Sequence, residues 1–212
     1  MDNWIDKASR RISKIAVPSL MKYIVITMGA VYVLDLIFQN LLSNLLVFSM
    51  PAIMTGQVWR VLTFIFLPIN SSPIFIIFAL YFYYMIGEAL ESAWGYAKFN
   101  LFYIVGIVGT ILAGLLTGFA TNHFLNMSLF FAFAILYPEF EVRLFFILPI
   151  KVKWLAYVNA AYFLVQFIFS TWPQRIALLI SVANIILFFH GDVIRRYKNN
   201  KRQREWRRHF KR

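Results

Sequence analysis

Six long apolar stretches recur along the chain, separated by short segments that are rich in polar residues. They cover residues 22–38, 73–91, 99–119, 123–138, 154–170 and 175–193. About 20 consecutive apolar residues are enough for a helix to cross the hydrocarbon core of a bilayer. The pattern therefore predicts an all-α membrane protein, with one bundle of six transmembrane helices within residues 21–193.

The segment between the first two stretches, residues 44–73, has a different pattern. It is too apolar for a free aqueous loop, yet Pro51, Gly56 and Pro68 interrupt it too often for a spanning helix. Non-helical backbone at membrane depth is tolerated only where protein or a cavity satisfies its polar groups. We therefore expect a long, half-embedded first loop. A short amphipathic piece is expected at residues 139–153.

Residues 1–20 form a separate N-terminal segment. Trp4, Ile5, Ile12 and Ile15 recur at roughly helical spacing, with Lys and Arg residues between them. This pattern predicts an amphipathic helix that lies in the membrane interface on anionic lipid. A frayed polar tail is the alternative. No apolar core followed by a small-residue cleavage site is present, so the segment is not a signal peptide.

Composition narrows the class of protein further. Hydrophobic residues make up 61% of the 212 residues, whereas about half of the residues of a soluble domain are apolar. The mean hydropathy is +0.68. The absence of cysteine excludes disulfides, thiolate metal sites and a cysteine nucleophile. We expect no cofactor.

The positive charges are distributed unevenly over this topology. If the N-terminus is cytoplasmic, 19 of the 21 Lys and Arg residues lie on the cytoplasmic side, and only Arg60 and Arg175 lie outside. Cytoplasmic segments of membrane proteins carry an excess of Lys and Arg. Both termini are therefore predicted to be cytoplasmic, and the expected location is the bacterial plasma membrane.

The C-terminal tail, residues 194–212, holds ten of these basic residues and one glutamate. Basic clusters next to a membrane helix bind anionic lipid with about 1 kcal/mol per residue. The residues expected to bind lipid are Arg195, Arg196, Lys201, Arg202, Arg207 and Arg208. Nucleic acid is the competing partner, since phosphate contacts use the same side chains. Because only Trp206 and Phe210 could stack on bases, no nucleic-acid partner is expected.

Several motifs occur in a recognisable order. GQVWR at 56–60 is followed by LTFIFLP, GEALE at 87–91 ends the second helix, and WG at 94–95 precedes the third; AFAILYP and ILPIKVKWL follow. This order resembles the rhomboid superfamily of intramembrane serine proteases, their inactive relatives and the derlins. The resemblance implies structural or partner-binding roles for Trp59, Arg60, Gly87, Glu91, Trp94 and Gly95.

The same resemblance implies where catalytic residues would stand. Rhomboid proteases have a Gly-x-Ser-Gly nucleophile on helix 4, a base on helix 6, and a His and an Asn on helix 2. This chain has no Gly-x-Ser-Gly. The nucleophile position falls near His123, the helix-2 positions near Phe75 and Ala79, and the base near Ala183 and Asn184. All four positions are expected to be lost.

Two substitute pairs deserve comparison. Ser128 and His190 are separated in depth, because His190 lies about 15 residues, or roughly 20 Å, into the sixth helix, whereas a nucleophile and its base need contact at about 3 Å. Ser128 and His123 are five residues apart on one helix and face different directions. A serine within a membrane helix commonly bonds its own preceding turn.

Three other features have more than one interpretation. Arg60 runs against the charge distribution, so it either engages the membrane surface or bonds loop carbonyls. Glu91 either accepts N–H groups at its helix end or forms a proton or ion site. Asn122, His123 and Asn126 form a polar cluster, but too few donors are present for a metal site, and no metal is expected.

Two functions follow from these observations. The first is a non-catalytic rhomboid-like membrane protein, a pseudoprotease that binds anionic lipids and transmembrane segments of client proteins as a scaffold, adaptor or chaperone. The alternative is an intramembrane serine endopeptidase with a non-standard dyad. The absence of the Gly-x-Ser-Gly motif, and of a histidine at the usual base position on the sixth helix, favours the non-catalytic function.

The topology gives the first testable prediction. A reporter fused after Arg212 should be cytoplasmic, because an even number of crossings returns the chain to the side of its N-terminus. Activity of a cytoplasm-specific reporter, compared with an outside-specific one at the same position, measures this. A C-terminal reporter that is active only outside the cell contradicts six crossings with a cytoplasmic N-terminus.

Overall fold

The computed structural model describes residues 4–68, 72–118, 120–144 and 148–189. Its elements in chain order are α1 (Trp4–Ile12), α2 (Leu20–Ile37), α3 (Leu41–Leu46), α4 (Met50–Met54), α5 (Arg60–Thr63), a 3-10 turn (Phe64–Phe66), α6 (Pro73–Trp94) and α7 (Tyr96–Thr117). They continue with α8 (His123–Leu136), β1 (Glu141–Leu144), β2 (Leu148–Lys151), α9 (Val152–Phe169) and α10 (Trp172–Phe189).

Five helices, α2, α6, α7, α9 and α10, are long and apolar enough to cross a membrane. The protein is therefore a helical, multi-pass integral membrane protein, as the sequence predicted. The predicted fourth helix corresponds to α8, which has only 14 residues. At 1.5 Å per residue it is about 21 Å long, shorter than the roughly 30 Å hydrocarbon core.

The bundle has two ends, which we call the loop end and the α1 end. The loop end carries the first loop, described over residues 38–68, with α3, α4, α5 and the 3-10 turn. At the α1 end, α1 packs on the first turns of α7, and Asp6 pairs with Lys98 at 2.7 Å. The side chain of Ile5 is only 3% exposed, and Ile12 packs on the same core. Part of the apolar face of α1 therefore packs within the protein, and the position of α1 in the membrane interface stays a prediction.

α8 lies at the centre of the bundle. Nine of its 14 residues are buried, and it packs on α6, α7 and α9. Just before it, the Asn122 amide donates to the carbonyl oxygens of Ile65 and Leu67 in the first loop. Just after it, the Tyr137 hydroxyl donates to the carbonyl oxygen of Ala89, near the α1 end of α6. α8 and its flanking residues thus connect the two ends.

Residues 139–153 differ from the expected amphipathic piece. β1 and β2 form an antiparallel hairpin in which Val142 pairs with Ile150. Just before β1, the Glu139 carboxylate accepts hydrogen bonds from the ammonium groups of Lys151 and Lys153. These bonds lower the pKa of Glu139 to about 2. The fourth helix ends at Leu136 rather than at residue 138, since residues 137–140 turn the chain into the hairpin.

Glycines allow the helices to approach closely. A Cβ at Gly106 would lie 2.5 Å from Leu125 Cδ1 on α8, and a Cβ at Gly109 would lie 2.6 Å from Ile180 on α10. Small residues let membrane helices pack at short distance. α7 has the largest buried share of the five long helices, 50% of its most apolar window. It is central, as its glycines predicted.

The contact between α2 and α6 gives a stability prediction. We expect Gly87→Ala to destabilise the protein by about 1–3 kcal/mol, the usual cost of overpacking, because the new methyl group would overlap Met21 Cβ and Cγ. Unfolding free energy in mixed detergent micelles measures the effect. Gly29→Ala is the matched control: its methyl group would make an ordinary 3.5 Å contact with Leu80, so no loss is expected. Equal stability of the two variants would contradict this packing.

Candidate functional site

The first loop is organised around α3, whose last carbonyl groups have side-chain donors. The carbonyl oxygen of Leu45 accepts from Trp59 Nε1 at 3.2 Å, and that of Leu46 accepts from Thr63 Oγ1 at 3.0 Å. Arg60 Nη1 donates to the carbonyl oxygens of the residues on either side, Asn44 and Val47. A helix end leaves its last carbonyls without intrahelical partners. Here Trp59, just before α5, and Arg60 and Thr63, its first and last residues, supply the missing donors.

Arg60 makes the largest share of these contacts. Its Nη1 lies 2.7 Å from the carbonyl oxygen of Asn44 and 2.9 Å from that of Val47, and its Nε donates to Gln57 Oε1 at 2.7 Å. The residue is only 7% exposed. The guanidinium therefore lies inside the loop, and these bonds account for a cation that the charge distribution left unexplained.

Asp35 performs the matching role at the other end of α3. Its carboxylate accepts hydrogen bonds from the backbone N–H groups of Leu42 and Ser43, and from the Ser43 hydroxyl. Asp35 is 6% exposed. A carboxylate at a helix N-terminus and a cation at its C-terminus both complement the helix dipole. Asp35 lies near the end of the first apolar stretch, and no signal in the sequence links this residue to α3.

The remaining predicted structural residues lie at the α1 end. Glu91 Oε1 accepts the backbone N–H of Ser19 at 2.8 Å. Gly95 has φ +81°, a left-handed conformation that glycine adopts without strain, and it joins α6 to α7 as a single linking residue. Trp94 packs its ring against Phe102 and Phe189. Gly87 admits Met21 of α2.

Trp59 and Arg60 thus lie at the loop end, whereas Gly87, Glu91, Trp94 and Gly95 lie at the α1 end. The structure brings these six residues together as two separate groups. Each group closes a junction between helices, and neither forms a pocket of converging catalytic side chains.

The candidate catalytic residues have other partners. Ser128 is 1% exposed, and its Oγ donates to the carbonyl oxygen of Leu125 at 2.7 Å. His123 is exposed at the start of α8, where its ring packs edge-on against Phe124. The bond made by Ser128 is the one expected of a serine that packs within a membrane helix. His190 and the predicted lipid-binding residues Arg195, Arg196, Lys201, Arg202, Arg207 and Arg208 lie outside the described residues.

Buried polar residues inside the bundle are a feature that the motifs did not indicate. Tyr103, Asn126 and Asn184 lie on α7, α8 and α10, and each has a buried side-chain oxygen that accepts or donates no hydrogen bond within the described ranges. Tyr83 of α6 contacts the Asn126 side chain. Asparagines in the middle of apolar stretches were the available sequence signal. No group of three or more His, Asp or Glu side chains in the part of the chain that the structure describes could hold a metal ion.

A groove with a volume of about 520 Å³ opens between α8, α9 and α10. We call it the lateral groove. Its walls are formed by Phe131, Ile135, Ala160, Phe163, Leu164, Phe167, Leu178, Leu179, Val182 and Ile185. Every one of these side chains is apolar, so the groove has no group that could bind or activate a polar substrate.

The α3 contacts give a prediction about Arg60. Arg60→Ala should destabilise the protein by about 2–6 kcal/mol, because it removes the buried guanidinium that bonds the carbonyl groups of Asn44 and Val47, at about 1–3 kcal/mol for each group left without a donor. Trp59→Phe is the comparison: it removes one hydrogen bond from a half-exposed side chain and should cost about 0.5–1.5 kcal/mol. Reversible unfolding in mixed micelles gives both values. An Arg60→Ala protein as stable as Trp59→Phe would contradict the structural role.

Comparison with known proteins does not assign a family. No family model matches the chain, and no curated protein matches it. The resemblance to rhomboids therefore depends on the order of the sequence motifs, and the function has to be inferred from the chemistry of the described residues.

Proposed function

We propose that this is a non-catalytic, rhomboid-like membrane protein that binds a transmembrane helix of a partner protein in the lateral groove. The observation that carries the proposal is the groove itself: an open, entirely apolar cleft within the membrane-spanning part of the bundle. A scaffold, adaptor or chaperone for membrane proteins needs such a surface.

The lack of an available nucleophile supports a non-catalytic role. A serine nucleophile needs a base within about 3 Å and access to the substrate. Ser128 is buried, and its hydroxyl is already bonded to the backbone of its own helix. His123 lies a turn and a half earlier on α8, and its described contact is with Phe124. Neither residue has the geometry of a serine–histidine pair.

A helix is the occupant that best fits the lateral groove. Only 11% of α9 is buried, the smallest share among the five long helices, so most of this helix has no close neighbour among the described residues. The groove is lined from Phe167 to Ala160 on α9 and from Leu178 to Ile185 on α10, which is about 10 Å along each axis. Ala160 leaves the groove wide at this point, and helices in membranes pack closely where small residues lie.

The proposed topology has six crossings, with α8 as the short central one and both termini in the cytoplasm. The bonds of Asn122 to the first loop and of Tyr137 to α6 support a crossing by α8. The distribution of Lys and Arg supports the orientation. Binding of anionic lipid by the basic tail belongs to the same proposal.

Photo-crosslinking in cells tests the occupant. A photoreactive residue at Leu164, which lines the groove and is 67% exposed, should yield adducts with protein that map to an apolar helix of the partner. Val158 is the matched control, because it is 68% exposed on the same helix but does not line the groove. Replacing Ala160 with Phe should fill the groove and reduce the Leu164 adducts without unfolding the protein. Lipid adducts alone at both positions, or equal protein adducts at both, would overturn the proposal.

An activity-based serine probe supplies a second arm of the same test. Purified protein should remain unlabelled, since Ser128 is buried, its hydroxyl bonds the carbonyl oxygen of Leu125, and no base contacts it among the described residues. Labelling that disappears in Ser128→Ala would establish the protease alternative instead.

A further inference from the structure

A second cleft lies at the α1 end, between the start of α2 and the end of α6, and has a volume of about 430 Å³. Pockets for small ligands have volumes of about 300–1,000 Å³. Its lining differs from that of the lateral groove, because it includes charged and polar side chains beside apolar surface. The residues are Ser19, Met21, Lys22, Tyr84, Gly87, Glu88, Glu91, Ser92, Gly95 and Tyr96.

Opposite charges face this cleft from two helices without pairing. Lys22 is the third residue of α2, and Glu88 lies on α6. Over the described ranges, ion pairs join Lys98 with Asp6, and Lys151 and Lys153 with Glu139, whereas neither Lys22 nor Glu88 belongs to one. Glu88 has a hydrogen-bond contact with the Tyr84 side chain. The cleft therefore offers an ammonium on one side and a hydrogen-bonded carboxylate on the other.

The depth of these groups matches the headgroup region of a bilayer. Glu88 lies six residues before the end of α6 at Trp94, or about 9 Å along the helix axis. A bilayer has a core of about 30 Å within a total thickness of about 40–45 Å, and α6, with 22 residues, is about 33 Å long. The shorter helix α2 sets the level, because Gly87, next to Glu88, packs on Met21, the second residue of α2. With 18 residues, α2 is about 27 Å long, so its first turn, and Lys22 and Glu88 with it, falls close to the boundary between headgroups and hydrocarbon.

The surface that continues from the cleft is apolar. Ile77, Tyr81, Tyr84, Glu88 and Glu91 follow each other on α6 at alternating spacings of four and three residues, so they form one stripe along the helix. Ile77 and Tyr81 are largely exposed. The stripe is therefore apolar towards the membrane centre and acidic at the α1 end, as a bound phospholipid would require.

We propose that this cleft binds the headgroup of an amine-bearing zwitterionic phospholipid, with its phosphate at Lys22 and its primary ammonium at Glu88. The acyl chains would lie along the α6 stripe. A primary ammonium can donate hydrogen bonds to the carboxylate, whereas a trimethylated one cannot. A lipid with a net negative charge would meet repulsion from Glu88 and Glu91. This proposal is independent of the partner helix in the lateral groove.

Native mass spectrometry of the purified full-length protein, with added phospholipids of identical acyl chains, tests the proposal. Phosphatidylethanolamine should bind about tenfold more tightly than phosphatidylcholine, which corresponds to the loss of one charged hydrogen bond. Stepwise N-methylation of the headgroup should weaken binding progressively. Equal binding of the ethanolamine and choline lipids would overturn the proposal, and this arm needs no variant.

Variants separate the two charges. Glu88→Gln should abolish the preference for the ethanolamine lipid, and Lys22→Gln should weaken both lipids alike because both contain phosphate. Glu141→Gln and Lys7→Gln are matched controls: both residues are exposed at the α1 end, outside the cleft, and both variants should bind as the wild type does. A Glu88→Gln protein that keeps the preference would overturn the assignment of the ammonium site.

A soluble competitor distinguishes a lipid from a free phosphoamine. Glycerophosphoethanolamine carries the same headgroup without acyl chains, so it should fail to displace the lipid at equal concentration. Displacement at equal concentration would show that the cleft takes a soluble ligand and would overturn the lipid proposal.

Discussion

The backbone of the first loop lies against an apolar bundle, and its polar groups need partners there. α3 is the element on which this depends: Asp35 bonds the N–H groups at its start, and Arg60 and Trp59 bond the carbonyl groups at its end. With both ends satisfied, a helix of six residues can lie against the bundle. Phe48 can then pack on Phe64, in contact with α7 at Gly114.

The rest of the bundle is arranged around the short helix α8. The first loop holds the start of α8 through Asn122, and Tyr137 holds the segment after it to α6. α7 and α10 meet beside it at Gly106 and Gly109. α9 is the exception, since it packs mainly on α8 and leaves most of its surface to the membrane. Because α9 has so few neighbours, the lateral groove opens beside it.

Local signals explain which predictions succeeded. The apolar stretches identified the long helices, because hydropathy depends only on neighbouring residues, and the glycines of α7 correctly indicated a central helix. The hairpin at β1 and β2 was missed, since an alternating apolar pattern over four residues fits several structures. The pattern of α1 has a related limit: an amphipathic pattern indicates a buried face, but does not specify whether lipid or α7 covers each of its residues.

By itself, the sequence determined the class of protein: a helical membrane protein with a broken first loop and no cysteine chemistry. It also shows that the chain has no Gly-x-Ser-Gly motif. Only the tertiary structure decided which polar groups meet. Asp35 and Ser43, and Arg60 and Asn44, meet because the first loop folds back on itself over 8 and 16 residues. Lys22 and Glu88 line one cleft because α2 packs on α6. Hydrophobicity is a property of each segment, whereas a hydrogen bond between segments depends on where both of them lie.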